Sequence, residues 1–280
     1  MSVSQQLAYK RASELAAHFA ALPQVVAVAL GGSQSNGSAD VESDIDLYVY
    51  IEAELPRTAQ AAVIEQSGGA TRDDLNLPYW GGTNLWIDAA TGITVDCMYF
   101  GTAWMEAEVA RVLETHQPSL GYSTSFCRMV QQSRSLLDPH GWFGALQARS
   151  KQPYPEPLRR NIMMHNHPVL RTIMSSYLHQ IERAVGRSDI VSINHRVAAL
   201  LASYFDIVFA LNGVLHPGEK RLLAFAHREC PLLPMEMAAD VAAVLGAAGT
   251  ASHIVVVHLT RLLDRLDDLL RKSGCDTSAW

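Results

Sequence analysis

The residues best equipped for chemistry lie in two neighbouring stretches, Leu30-Gly31-Gly32-Ser33-Gln34-Ser35-Asn36-Gly37 and Ser43-Asp44-Ile45-Asp46-Leu47-Tyr48-Val49-Tyr50. An apolar run from Val25 to Leu30 enters the glycine turn, and a second apolar run opens at the two carboxylates. If the second run is a strand, its side chains alternate between faces, so Asp44 and Asp46 point the same way. Two carboxylates side by side repel each other unless a cation lies between them, and their oxygens are hard ligands suited to Mg²⁺ or Mn²⁺. Gly31 and Gly32 present backbone N–H groups with no Cβ in the way, and Ser33 adds a hydroxyl, which is what an approaching phosphate needs. A phosphate cradle beside a dicarboxylate cation clamp points to nucleotidyl transfer.

At these residues the chain resembles the nucleotidyltransferase superfamily that includes DNA polymerase β and the aminoglycoside and lincosamide nucleotidyltransferases. The shared pattern is an apolar residue, Gly, Gly or Ser, Ser, about ten residues, then Asp-x-Asp within an apolar strand. Gly31, Gly32, Ser33, Asp44 and Asp46 fill every slot. One departure is Asn36, where many members carry Arg or Thr before the last glycine of the loop. The resemblance implies a third carboxylate from a later strand. Asn84-Leu85-Trp86-Ile87-Asp88 and Ile93-Thr94-Val95-Asp96-Cys97-Met98-Tyr99-Phe100 read as two strands joined by Ala89-Ala90-Thr91-Gly92, a hairpin signal. Asp96 sits inside the second run, where a bare carboxylate is costly unless it is paired or metal-bound. Asp96 is therefore the expected third member, ahead of Asp88 at the hairpin tip, where an aspartate commonly just makes a turn.

The resemblance implies Mg²⁺ (or Mn²⁺) held by Asp44, Asp46 and Asp96, with a nucleoside triphosphate, ATP foremost, as co-substrate. Two metal ions would clamp an in-line displacement at the α-phosphorus, Asp96 taking the proton of the attacking hydroxyl while Gly31, Gly32 and Ser33 steady the departing pyrophosphate. A second stretch, Leu211-Asn212-Gly213-Val214-Leu215-His216-Pro217-Gly218-Glu219-Lys220, is similar to one in a bacterial family of nucleotidyltransferase-like proteins with a helical C-terminal domain. That likeness runs through Trp86-Ile87-Asp88, Asp96, Asp138-Pro139 and Lys220. In the wider superfamily a lysine of the helical half binds the triphosphate, which makes Lys220 the expected contact.

The elements that must hold these residues divide into two grammars. Residues 1–20 have the spacing of an amphipathic helix through Leu7, Ala8, Ala12, Leu15, Ala16 and Phe19. The strand, the glycine turn, a short helix before Asp44, a second strand, a helix over Thr58–Gln66 and the hairpin follow. From about Thr102 the pattern turns helical: Trp104–Thr115, Tyr122–Leu136, and, beyond Pro139, Pro153, Pro155 and Pro157, Leu158–Met164, Val169–Val185, Ile190–Leu211, Gly218–His227, Met235–Leu245 and Ser252–Lys272. Pro168 and Pro217 are read as helix starts, and His165 and His167 as residues preceding one. His195 reads as a packing histidine, and Tyr177, Tyr204, Phe205 and Phe209 as helical core. The expected fold class is α+β: a nucleotidyltransferase fold over 1–117, its mixed sheet flanked by helices, then an all-α bundle over 118–280.

Composition sets the outer limits. The 280 residues are 49% hydrophobic, ample for a core, and no apolar run approaches the roughly 18 residues of a membrane span. Residues 1–6 show no signal-peptide pattern, and four scattered cysteines with no C-x-x-C pair fit free thiols in a reducing cytoplasm. A net charge of −6 without a basic track argues against long nucleic acid as partner. The expected acceptor is the hydroxyl of a small molecule, and a cationic one would be electrostatically welcome. The alternatives are transfer to a macromolecule (a tRNA end, or a protein, as in toxin–antitoxin modules) and a catalytically silent nucleotide-binding module. The latter would show itself by loss of a carboxylate. The pattern leaves the oligomeric state open.

Overall fold

The computed structural model describes residues 3–32, 44–77 and 82–275. Ser33, Asn36 and the short helix expected ahead of Asp44 lie outside the described residues. The chain divides into two compact units, one built from Met1–Ala110 and Met129–Gln152, the other from Arg111–Arg128 and Pro153–Trp280.

The first unit is a six-stranded mixed sheet. Its elements are α1 (Val3–Phe19), β1 (Val25–Leu30), β2 (Ile45–Ile51), α2 (Arg57–Gln66), β3 (Ala70–Leu77), β4 (Thr83–Asp88) and β5 (Thr94–Gly101). The start of α3 (Thr102–Leu113), the end of α4 (Ser125–Gln132), β6 (Arg134–Leu137) and α5 (Trp142–Ser150) complete it. The strand order is β3-β4-β5-β2-β1-β6, with β2 and β5 parallel and every other pair antiparallel. One face of the central strands buries Val28, Leu30, Ile45, Leu47, Val49, Val95 and Cys97 with Ala8, Ala12, Leu15 and Phe19 of α1 and Val63 and Ile64 of α2. That is the stripe the N-terminal helical spacing announces. The opposite face of β2 carries Asp46, Tyr48 and Tyr50, and Tyr50 stacks on Phe143 of α5 with ring centroids 5.1 Å apart. Asp138 accepts hydrogen bonds from the N–H groups of Phe143 (3.1 Å) and Gly144 (2.9 Å), which caps the N-terminal turn of α5.

Two strands are absent from the sequence expectations. β6 replaces the end of the helix expected over Tyr122–Leu136: α4 stops at Gln132, and Arg134–Leu137 adds an edge strand to β1. Four residues are too few to show a period, and the neighbour that decides their conformation is remote in sequence. β3 includes Arg72, Asp73 and Asp74, a polar run that reads as surface charge but pairs with β4 as the other edge, where exposed charge is tolerated.

The second unit is helical: α6 (Glu156–Arg171), α7 (Tyr177–Gly186), α8 (Ile190–Leu211), α9 (Leu222–Glu229), α10 (Met237–Ala248) and α11 (Ile254–Lys272), around a core centred on α8 that includes Tyr204, Phe205 and Phe209. Pro168 does not start a helix; it lies inside the last turn of α6, with His165 and His167. Proline there removes one backbone bond, to the carbonyl of half-exposed Met164, while the added turn buries Leu170 and sets His167 Nε2 2.7 Å from Asp267. Pro217 likewise lies in the connection between α8 and α9, and α9 begins only after Arg221 in the left-handed region (φ +55°). His195 is exposed on α8, so it is not a buried packing histidine.

A buried polar node ties Leu120–Thr124 to the helices. Asp206, 1% exposed, accepts from Ser123 N–H (3.1 Å) and Ser123 Oγ (2.6 Å), and Asn166 accepts from Gly121 N–H at 3.0 Å. Burial pushes the Asp206 carboxyl up to about 7, against the pull of the Ser123 hydrogen bonds. Nearby in the same unit, His216 is fully buried, its backbone N–H bonded to Thr124 Oγ1 at 2.7 Å, and burial, with the charge of Arg128 adding, pushes its imidazole down to about 3. Among the described residues no helix is long and apolar enough to cross a membrane.

Candidate functional site

The sheet register assembles the site. β1 ends where β2 and β5 begin, so Gly31, Asp46 and Asp96 arrive at one end of three adjacent strands. Parallel pairing of β2 with β5 sets Asp46 directly opposite Asp96. In-register neighbours share a face, and adjacent strands lie about 4.8 Å apart, so the two carboxylates stand side by side, each half-buried. Cys97, on the other face, is fully buried, and its thiol is pushed up to about 12 by burial. The alternation that the sequence implied for β5 therefore sorts thiol from carboxylate.

On the other flank, Gly31 N–H donates to the Asp46 carbonyl at 2.8 Å, continuing the β1–β2 ladder. Two separate constraints then demand glycine. A Cβ on Gly31 would lie 2.2 Å from the Tyr48 ring, and one on Gly32 would lie 1.7 Å from Asp46 Oδ2. Gly32 is also in the left-handed region at φ +58°. The backbone of the turn thus passes directly over a carboxylate oxygen, with a space that only hydrogen fits.

Tyr48, two residues after Asp46 on the same face, is a residue the sequence expectations overlooked. Its ring packs beneath Gly31, and its hydroxyl is hydrogen-bonded to the Gly32 backbone. Burial pushes that hydroxyl's pKa well above the ordinary tyrosine value, and the charges of Asp46 and Asp96 push it further the same way. Tyr48 is thus a neutral prop under the glycine turn, in the electrostatic field of both carboxylates. The signal was the period-2 spacing from Asp46; the partner that gives it meaning lies on another strand.

The remaining expected residues fall out as follows. Asp44 stands exposed immediately ahead of the first residue of β2. Among the described residues, no group of three His, Cys, Asp or Glu side chains is gathered closely enough to hold a metal ion. The assembled pair is Asp46 with Asp96. Their hard oxygens, and the glycine backbone that a Cβ would obstruct, fit a divalent cation carrying a phosphate. Lys220 is exposed in the connection between α8 and α9 of the second unit. Asp88 is fully buried and serves elsewhere: its Oδ1 accepts from Arg11 Nε (3.0 Å) and Nη2 (2.5 Å), and its Oδ2 from Thr91 N–H (3.0 Å) and Oγ1 (2.6 Å). Burial pushes the Asp88 carboxyl up, but the hydrogen bonds from Arg11 and Thr91 outweigh it and leave it below the usual carboxylate range.

Residues 12–85, which contain the glycine turn, Asp44 and Asp46, match the family described as Nucleotidyltransferase domain. The match stops short of Asp96, whose place beside Asp46 comes from the sheet register. Downstream of that match, residues 121–222 match a second family, described as Domain of unknown function (DUF4037). That span includes Ser123, Asn166, Asp206, His216 and Lys220. Among solved structures, a nucleotidyltransferase-like protein from Exiguobacterium sibiricum 255-15 is similar at 13% identity and a TM-score of 0.42, covering 92% of this chain and 80% of that one. No curated protein matches the chain.

Proposed function

We propose that the chain transfers a nucleoside monophosphate from a nucleoside triphosphate, ATP in the first instance, to a hydroxyl of a small molecule, with release of pyrophosphate. The observation that carries this reading is the register pairing of Asp46 with Asp96 under a glycine turn whose backbone approaches Asp46 too closely for any Cβ.

Asp46 and Asp96 would hold Mg²⁺ or Mn²⁺, with Asp44 contributing from just ahead of β2. When bound, such an ion neutralises phosphate oxygens and makes a coordinated hydroxyl more acidic. The protein's own groups do the rest. Asp96 accepts the proton of the acceptor hydroxyl as its oxygen bonds to the α-phosphorus and the bond to the β-phosphate breaks. The Gly31 N–H is taken by the Asp46 carbonyl and the Gly32 backbone by the Tyr48 hydroxyl, so both hold the turn against the strand, and Ser33 would orient the departing pyrophosphate. Lys220 is proposed as a further contact to the triphosphate. The net charge of −6 favours a small, neutral or cationic acceptor over long nucleic acid. Three buried cysteines held as free thiols suit work in the cytoplasm.

Pyrophosphate release from Mg·ATP, assayed against a panel of small hydroxyl compounds, tests the reading. The wild type should release pyrophosphate with at least one acceptor, and Asp96→Asn should lose release while still binding Mg·ATP. Release undiminished in Asp96→Asn would remove the base from the mechanism.

A further inference from the structure

The second unit contains one cation whose surroundings are unlike those of the other part-buried arginines. Arg128, on α4, lies with its Cζ 4.3 Å from the centroid of the Phe225 ring on α9, and Arg228 lies over the same ring at 5.2 Å. Phe225 is only 6% exposed, so Arg128 rests on a buried aromatic floor while remaining part-exposed itself. Several other arginines that are at least part-buried have a carboxylate: Arg11 has Asp88, Arg171 has Asp264 and Asp267, and Arg265 has Asp240. Among the described residues, no carboxylate forms an ion pair with Arg128, and its guanidinium N–H groups have no hydrogen-bond acceptor, the backbone N–H alone donating to the Thr124 carbonyl at 3.0 Å. Glu229, the carboxylate that faces it, is paired with Arg228 at 2.8 Å. Burial pushes the Arg128 guanidinium below its ordinary pKa; Glu229 partly offsets this and Arg228 adds to it.

A guanidinium held over a ring by a cation–π contact keeps N–H donors that the ring does not use. Such donors match an oxyanion in geometry, and a half-desolvated cation binds one more strongly than a fully hydrated cation does. Arg228, the second guanidinium in contact with that ring, repels the first, and a bound dianion would offset the repulsion of the pair. We infer that Arg128 and Arg228, seated on Phe225, form an anion site on the helical unit that takes a dianionic oxyanion of the phosphate monoester class. The site lies wholly within the second unit and is independent of the nucleotidyl-transfer reading.

The test uses inorganic phosphate as probe, with EDTA present so that no cation recruits phosphate to the carboxylates of the first unit. Phosphorus-31 line broadening is followed at pH 8 and constant ionic strength on the full chain, with acetate as a monoanionic competitor. The wild type should broaden the phosphate signal saturably, and acetate should compete poorly. Arg128→Gln should weaken binding by about tenfold, the value of one charge-assisted hydrogen bond. Glu229→Gln removes the competing carboxylate and should tighten binding by about threefold at this range of separation. A folding defect weakens binding and cannot mimic that gain. Equal broadening by wild type and Arg128→Gln, no broadening by the wild type, or weaker binding in Glu229→Gln would each overturn the assignment.

Discussion

Gly32 is the residue where backbone conformation and chemistry meet. Its φ of +58° costs a residue with a side chain roughly 1–2 kcal/mol. The larger effect is steric, because a Cβ would overlap Asp46 Oδ2 at 1.7 Å and one of the two must move. Displacing a reacting group by about 1 Å costs on the order of 10²-fold in rate, so Gly32→Ala should lower kcat/KM by about that factor while the unit stays folded. Steady-state kinetics with circular dichroism checks this, and an unchanged rate would show that the turn does not serve the carboxylate. Gly32 and Asp46 were legible in the sequence because glycine turns and paired aspartates each leave a local mark. Tyr48 was not, because a tyrosine in an apolar strand reads as core; only the strand pairing brings its hydroxyl to the Gly32 backbone.

At the scale of elements, the β4–β5 hairpin separates a structural carboxylate from the one beside Asp46. Asp88 ties the hairpin to α1 through Arg11, and Arg11 Nη2 also donates to the Ser67 carbonyl at 2.5 Å, so one guanidinium fastens three segments. Breaking a buried pair by removing one partner costs on the order of 3–5 kcal/mol. Asp88→Asn should therefore lower the melting temperature markedly yet leave nucleotide binding intact at a temperature where the unit remains folded. Asp96→Asn should leave the melting temperature near the wild-type value and keep Mg·ATP binding, but lose pyrophosphate release. Release lost in Asp88→Asn well below its melting temperature, or retained in Asp96→Asn, would contradict the division of roles. Asp88 does make the hairpin turn that the sequence suggests, but its ion pair with a residue 77 positions away leaves no local trace. The same limit hid β6, whose partner β1 lies about a hundred residues earlier. Pro168 shows the complementary limit, since a tertiary contact such as Leu170 in the core can carry a helix past a residue that locally argues for a boundary.

For the whole molecule, the helical unit holds two buried titratable groups with opposite pH linkage. Asp206 has its folded pKa raised to about 7. Between its unfolded value of about 3.9 and 7, the folded chain holds a proton that the unfolded chain has lost, so its contribution to stability falls as pH rises. His216 is lowered to about 3 in the fold, so up to its ordinary value of about 6.5 the unfolded chain holds the extra proton and stability rises with pH. The two slopes oppose each other in the wild type between roughly pH 4 and 6.5. Asp206→Asn should make the melting temperature climb more steeply with pH in that window, and His216→Gln should make it fall. Scanning calorimetry at matched ionic strength checks the signs, and identical slopes in all three proteins would contradict them.

On the proposed reading, Asp46, paired with Asp96 beneath the glycine turn, forms a cation-dependent nucleotide site. The most direct measurement is a calorimetric titration of a non-hydrolysable ATP analogue into wild type and Asp46→Asn, each with and without Mg²⁺. The wild type should bind with roughly micromolar affinity only when Mg²⁺ is present, and Asp46→Asn should not bind. Binding that ignores Mg²⁺, or that survives in Asp46→Asn, would contradict the reading.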